Sequence, residues 1–120
     1  MSDFPIIDPV AIENLRALNP GDNDEFLREI VGIYLDDTPV RIGELEASLT
    51  NRDMEKFVRA AHSIKGSSAN LGALALRAVA ERLEHHARNH GWNDAPTMVD
   101  EVKTEFDLVK AELEKITAAG

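Results

Sequence analysis

A chain of 120 residues, 43% hydrophobic and 29% charged, is sized for a single domain, too apolar to be disordered and too polar for a membrane protein. Thirteen Lys and Arg against twenty-two Asp and Glu leave a formal charge of −9, which repels a phosphate backbone and argues against nucleic acid as a partner. The absence of cysteine excludes disulfides, thiol nucleophiles and thiolate zinc sites; with no signal-like amino terminus and no run of ~18 apolar residues, the cytoplasm is the expected setting and no membrane is expected.

Helical periodicity runs through most of the chain. Asp8 as N-cap and Pro9 as first helical residue predict a short helix carrying Val10, Leu15 and Leu18, ended by the breaker Asn19-Pro20-Gly21. A second, with Asp22, Asn23 or Asp24 available as cap, carries Leu27, Ile30, Val31 and Tyr34 and is expected to stop ahead of Thr38-Pro39, because proline disfavours helix in the residue before it. Thr38 then caps a third helix that opens at Pro39 and sets Ile42, Leu45 and Leu49 on one face. Asp53 caps a fourth, on which Met54, Phe57, Ala61, Ile64, Ser68 and Leu71 step by three and four until Gly72 closes it. A fifth carries Leu76, Val79, Ala80, Leu83 and Ala87 to His90-Gly91, where glycine can take the left-handed conformation. Asp94 and Pro96 open a sixth, with Val99, Val102, Phe106, Val109, Leu113 and Ile116 on its stripe.

Four long stripes, each apolar on one side only, need a shared core, and no segment alternates with period two. The expected fold is therefore all-α: an antiparallel four-helix bundle with additional short amino-terminal helices, residues 1–120 forming one domain. Phe57, Ile64, Leu83, Val102, Phe106 and Leu113 are its predicted core. No stripe is left over for a partner helix, so a monomer is expected.

The stretch from Ala60 to Ala73 holds the chemistry. At about 100° per residue, His62 projects about 130° away from the inward direction of its own stripe, and so faces solvent or a partner. Arg59 and Lys65 are its i−3 and i+3 neighbours, Val58 and Gly66 its i−4 and i+4 neighbours, and Glu55 and Ala69 lie two turns to either side. Glycine inside a helix costs ~1 kcal/mol relative to alanine. A need for clearance at Gly66 accounts for that cost, since a phosphoryl group on the imidazole or a second protein's loop would collide with a side chain there. Lys65 contributes of order 1 kcal/mol beside a phosphoryl dianion and disfavours imidazolium, keeping the ring a neutral nucleophile.

Plainer readings stand beside these. A surface histidine is commonly just solvated, and Gly66 could be a C-cap, although the register continues through Ser68 and Leu71. Ser67 and Ser68 lack a base at fixed spacing and are read as packing residues. Glu55 is equally a solvated first-turn charge, and Arg77, Arg82 and Arg88 a solvated face of which some border a partner.

The run His62-Ser63-Ile64-Lys65-Gly66-Ser67-Ser68, preceded by Ala60-Ala61 and followed by Leu71-Gly72-Ala73, closely resembles the signature of histidine-containing phosphotransfer domains of two-component phosphorelays. Asp53, Pro39 and Leu83-Glu84 also resemble that family's pattern, so the likeness covers residues 26–106; Ile64 stands where leucine is commoner. The resemblance implies a four-helix bundle and a phosphocarrier: His62 accepts a phosphoryl group from a receiver-domain aspartate, of a response regulator or a hybrid sensor kinase, and passes it to another. It implies no cofactor on this chain, with Mg²⁺ held by the receiver, and Lys65 and Gly66 in supporting positions. No glycine-rich nucleotide loop or Walker lysine is present, so a kinase is not expected. The expected partner surface is His62 among Val58, Gly66 and Ala69, ringed by Arg59, Lys65 and Glu55.

Two other classes remain at the level of sequence: a non-phosphorylated receiver-binding adaptor, and a helical metal-binding or dimerisation module built on His85, His86 and His90. The last two are i and i+4 on one helix, a spacing that suits zinc. No Glu-x-x-His pair of the kind a di-iron bundle needs accompanies them, so no metal site is expected.

Overall fold

The computed structural model describes residues 5–118. It has five helices: α1 (Pro9–Ala17), α2 (Glu25–Asn51), α3 (Met54–Asn70), α4 (Leu74–His90) and α5 (Ala95–Ala118). Helices α2 to α5 form a closed circuit in which each packs on the next and α5 returns to α2, while α1 packs on α2. Connections of two to four residues between successive bundle helices make them antiparallel. The six predicted core residues are all buried, Phe57, Ile64, Leu83, Val102 and Leu113 fully so. Among the described residues no helix is long and apolar enough to cross a membrane.

Most helix ends follow the capping chemistry read from the sequence. The Asp8 carboxylate accepts from the Val10 amide at 3.0 Å with Pro9 in the first turn, and Asp53 accepts from the Lys56 amide at 3.2 Å. Helix α3 ends in a Schellman motif: Gly72 at φ +75° donates to the Ala69 carbonyl and Ala73 to that of Ser68. A Cβ at Gly72 would stand 2.7 Å from that of Ala11, so the glycine also lets α1 seat against the α3–α4 turn. At the start of α2 the cap is Asp22, whose carboxylate accepts from the Phe26 amide at 3.0 Å. Asp24, in the left-handed region, instead takes the Arg16 guanidinium at 3.1 Å and ties α1 to α2.

One boundary is corrected. The break expected at Thr38-Pro39 does not occur: α2 runs unbroken through Pro39, and the predicted second and third helices are one. A proline inside a helix costs about 3 kcal/mol through its missing amide and its ring. Here the ring is on the exposed side, so the unmatched Leu35 carbonyl is not forced into the core. Meanwhile Leu27, Val31, Tyr34, Thr38, Ile42 and Leu45 continue as one buried stripe across it, which more than offsets that cost at about 1.5–3 kcal/mol for each large side chain. The register of that stripe, in steps of three and four with no phase slip, was the signal that outweighs the proline. Only α1 is therefore a short amino-terminal helix.

Candidate functional site

His62 lies midway along α3 and its side chain is 65% exposed, as the helical projection requires. Behind the ring stands Glu84 of α4, with only 5% of its side chain accessible. Its two oxygens are fully engaged: Oε2 lies 3.1 Å from His62 Nδ1 and 3.0 Å from the Arg88 guanidinium, and Oε1 accepts from Lys65 Nζ at 2.9 Å. Burial pushes the Glu84 carboxyl up, but the hydrogen bonds and charges of Lys65 and His62 more than offset this, holding it below its ordinary value.

A carboxylate can only accept, so the proton of a neutral His62 must sit on Nδ1. That tautomer leaves the lone pair on Nε2, at the far, solvent-facing end of the ring. Glu84 thus orients the imidazole, fixes which ring nitrogen keeps its lone pair and is placed to stabilise positive charge on the ring.

The predicted neighbours are brought together around this centre. Gly66 is exposed within a continuous helix, and a Cβ there would meet nothing within 4 Å. Its missing side chain therefore serves no contact inside this chain, and it is not a helix cap. Ala69 is exposed, Val58 is half-buried against the core, and Arg59 pairs with Glu55 at 3.0 Å, both well exposed. Lys65, expected as a supporting cation beside the ring, has a partner of its own. Its side chain, 26% accessible, is turned onto Glu84, so its charge is shared with that carboxylate. The serines are occupied within the fold: Ser67 Oγ donates to the Ser63 carbonyl at 3.0 Å, and buried Ser68 is hydrogen-bonded to the Tyr34 hydroxyl at 2.9 Å.

Sequence reasoning missed Glu84 and Arg88 as parts of the site. A signal existed for both. Glu84 is an acid on an otherwise apolar stripe, four residues after Ala80 and three before Ala87, and Arg88 follows it at i+4, where it pairs.

The other histidines are held differently. His86 and His90 stack with centroids 4.9 Å apart, and His86 Nε2 is hydrogen-bonded to the Asn93 carbonyl oxygen. No group of three or more metal-ligating side chains occurs among the described residues.

Comparison with known proteins follows the same geometry. The family model of the Hpt domain matches residues 29–116. Multistep phosphorelay regulator 1 of Schizosaccharomyces pombe is 31% identical over 86 residues, 72% of this chain and 29% of its own. Phosphorelay intermediate protein rdeA of Dictyostelium discoideum is 31% identical over 85 residues, 71% of this chain and 34% of its own. The chain thus spans about a third of the length of these curated relatives. The crystal structure of histidine-containing phosphotransfer protein B from Pseudomonas aeruginosa superposes with a TM-score of 0.87 at 26% identity, covering 97% of both chains. With the family model spanning the bundle and the motif histidine exposed on α3, this chain belongs to the histidine-containing phosphotransfer (Hpt) domain family.

Proposed function

We propose that this protein is a phosphocarrier of a multistep phosphorelay, with His62 Nε2 as the atom that carries the phosphoryl group. The observation that carries this reading is the hydrogen bond from an exposed imidazole to a buried, charge-stabilised carboxylate. Nε2 attacks the phosphorus of a receiver phosphoaspartate; the N–P bond forms as the bond from phosphorus to the aspartate oxygen breaks, and the carboxylate leaves with that electron pair. The ring, already protonated on Nδ1, becomes cationic as the new bond forms, and Glu84 stabilises that charge. Because the proton stays on Nδ1, the ring departs as neutral imidazole, taking the N–P electron pair, when a second aspartate attacks the phosphorus in onward transfer.

Gly66 supplies clearance for the phosphoryl group and the incoming loop. Lys65 and Arg88, both resting on Glu84, can partly reorient toward the phosphoryl oxygens. Receiver domains of response regulators or hybrid kinases are the partners; they supply the Mg²⁺ and the activated acyl phosphate, so this chain needs neither metal nor nucleotide. A monomer working in the cytoplasm fits this role. Incubation with a panel of phosphorylated receiver domains tests it. Label should appear rapidly from at least one receiver and not from ATP with Mg²⁺ alone, and it should be acid-labile and base-stable, as a phosphoramidate is. Label that persists at the wild-type rate in His62→Gln would transfer the role to His85, His86 or His90.

A further inference from the structure

The formal charge of −9 is distributed unevenly. Helices α3 and α4 together carry six Lys and Arg against three Asp and Glu, a balance of +3. Helices α2 and α5 carry five against twelve, a balance of −7. The circuit of contacts places α3 beside α4 and α2 beside α5, so the bundle has a cationic layer and a strongly acidic one. One of the three acids of the cationic layer, Glu84, is buried behind His62 and paired with Lys65 and Arg88; with that carboxylate counted, the balance of the layer stays at +3.

The cations lie where they surround the histidine. Arg77, Glu84 and Arg88 follow one another at steps of seven and four, along one strip of α4. The hydrogen bond from His62 to Glu84 sets that strip against Arg59 and Lys65 of α3. Arg59, Arg77 and Arg88 are exposed. With four of its cations, Arg59, Lys65, Arg77 and Arg88, near one exposed imidazole, this acidic protein has an oriented field, attractive on the side of the site and repulsive on the other.

We infer that the α3–α4 layer is an electrostatic docking face fitted to a partner that is acidic around its own phosphoryl site, and that the α2–α5 layer repels the same partner from unproductive encounters. The inference rests on the phosphocarrier reading for the kind of partner, a protein that holds an acyl phosphate amid metal-binding carboxylates. The charge partition itself does not depend on that reading. Its effect falls on the association rate, because exposed rim charges steer encounter more than they hold the complex. It should fade as salt shortens the screening length below about 10 Å.

The test is stopped-flow association with receiver domains, followed from about 0.02 to 0.5 M NaCl. Arg77→Glu is compared with Lys110→Glu, which makes the same net charge change on an exposed position of α5. Circular dichroism checks that each variant keeps its helix content. The wild-type rate should fall at least tenfold across the salt range. At low salt Arg77→Glu should be slower than wild type by about threefold to tenfold, Lys110→Glu by less than twofold, and all three should converge at high salt.

Equal slowing by both variants, or a rate indifferent to salt, overturns the docking face. So does concentration-dependent sedimentation at low salt, which assigns the cationic layer to the acidic layer of a second copy of this chain. A panel in which no receiver associates overturns both this inference and the phosphocarrier reading. The two are separated by His62→Gln: it should keep the salt-dependent association while losing all label. If it keeps label, the assignment of the carrier to His62 fails; if association is flat with salt while the wild type takes label, only the docking face fails.

Discussion

His62 on α3 and the pair His86 and His90 at the end of α4 offer the same imidazole to solvent, yet their surroundings diverge one hydrogen bond away. His62 Nδ1 meets a carboxylate with 5% of its side chain accessible, which is itself held charged by Lys65 and Arg88. His86 meets the carbonyl of Asn93, a neutral acceptor in the turn before α5, and its ring lies against that of His90. Both acceptors fix a tautomer, since a carbonyl, like a carboxylate, can only accept; the carboxylate can in addition absorb developing charge, whereas the carbonyl ties the ring to a turn. Residue type is shared and exposure differs only in degree, His62 and His90 being exposed and His86 half-buried, so the group behind the ring makes the difference.

Replacing His62 is the strongest way to break this comparison. His62→Gln should reduce phosphoryl labelling to background while leaving helix content unchanged, since an exposed side chain contributes little to packing. Gly66→Leu is next. It should raise stability by about 0.5–1 kcal/mol through helix propensity, there being open space for the new side chain, yet reduce transfer by about a hundredfold through steric exclusion of the partner. A slower rate with lowered stability would instead indicate a packing role for the glycine.

Glu84 sharpens the contrast directly. Glu84→Ala should slow transfer about tenfold or more, as loss of an orienting group behind a reactive histidine does, and destabilise the fold by about 1–3 kcal/mol because Lys65 loses its partner. Glu84→Gln, which retains an acceptor without the charge, should fall between it and wild type in rate. A pH series separates the charge from the hydrogen bond. The carboxyl is held below its ordinary value of 4.5 in the folded state, so its contribution to stability is complete above that pH and is lost as pH falls through the folded-state value. The melting temperature of wild type should therefore decline more steeply than that of Glu84→Gln below about pH 4.5; parallel declines would remove Glu84 as the acid responsible.

Lys65→Ala should slow transfer by only a fewfold, because Arg88 still neutralises Glu84. At the small end, His86→Ala and His90→Ala should leave the transfer rate unchanged and shift stability by no more than about 0.5 kcal/mol. A chelator should likewise leave the melting temperature where it was. A large effect of either would give the α4 histidines a function that their surroundings do not suggest.

Much of this molecule is determined by separations of three or four residues, and those are legible without a structure. The caps at Asp8 and Asp53, the left-handed Gly72 and Gly91, the stripes that bury Phe57, Leu83 and Phe106, and the outward projection of His62 all follow from local geometry. What lay beyond such reach was decided by packing. Pro39 is a breaker in the local rule, and α2 continues through it because one stripe is buried on either side of it. Glu84 is separated from His62 by 22 residues, and nothing local sets how two helices rotate and slide against each other across a short turn. That rotation brings one acid of α4 under the histidine of α3 and turns Lys65 inward to meet it. The exposed motif histidine was therefore written in one helix, while the choice of the ring nitrogen that keeps its lone pair required two.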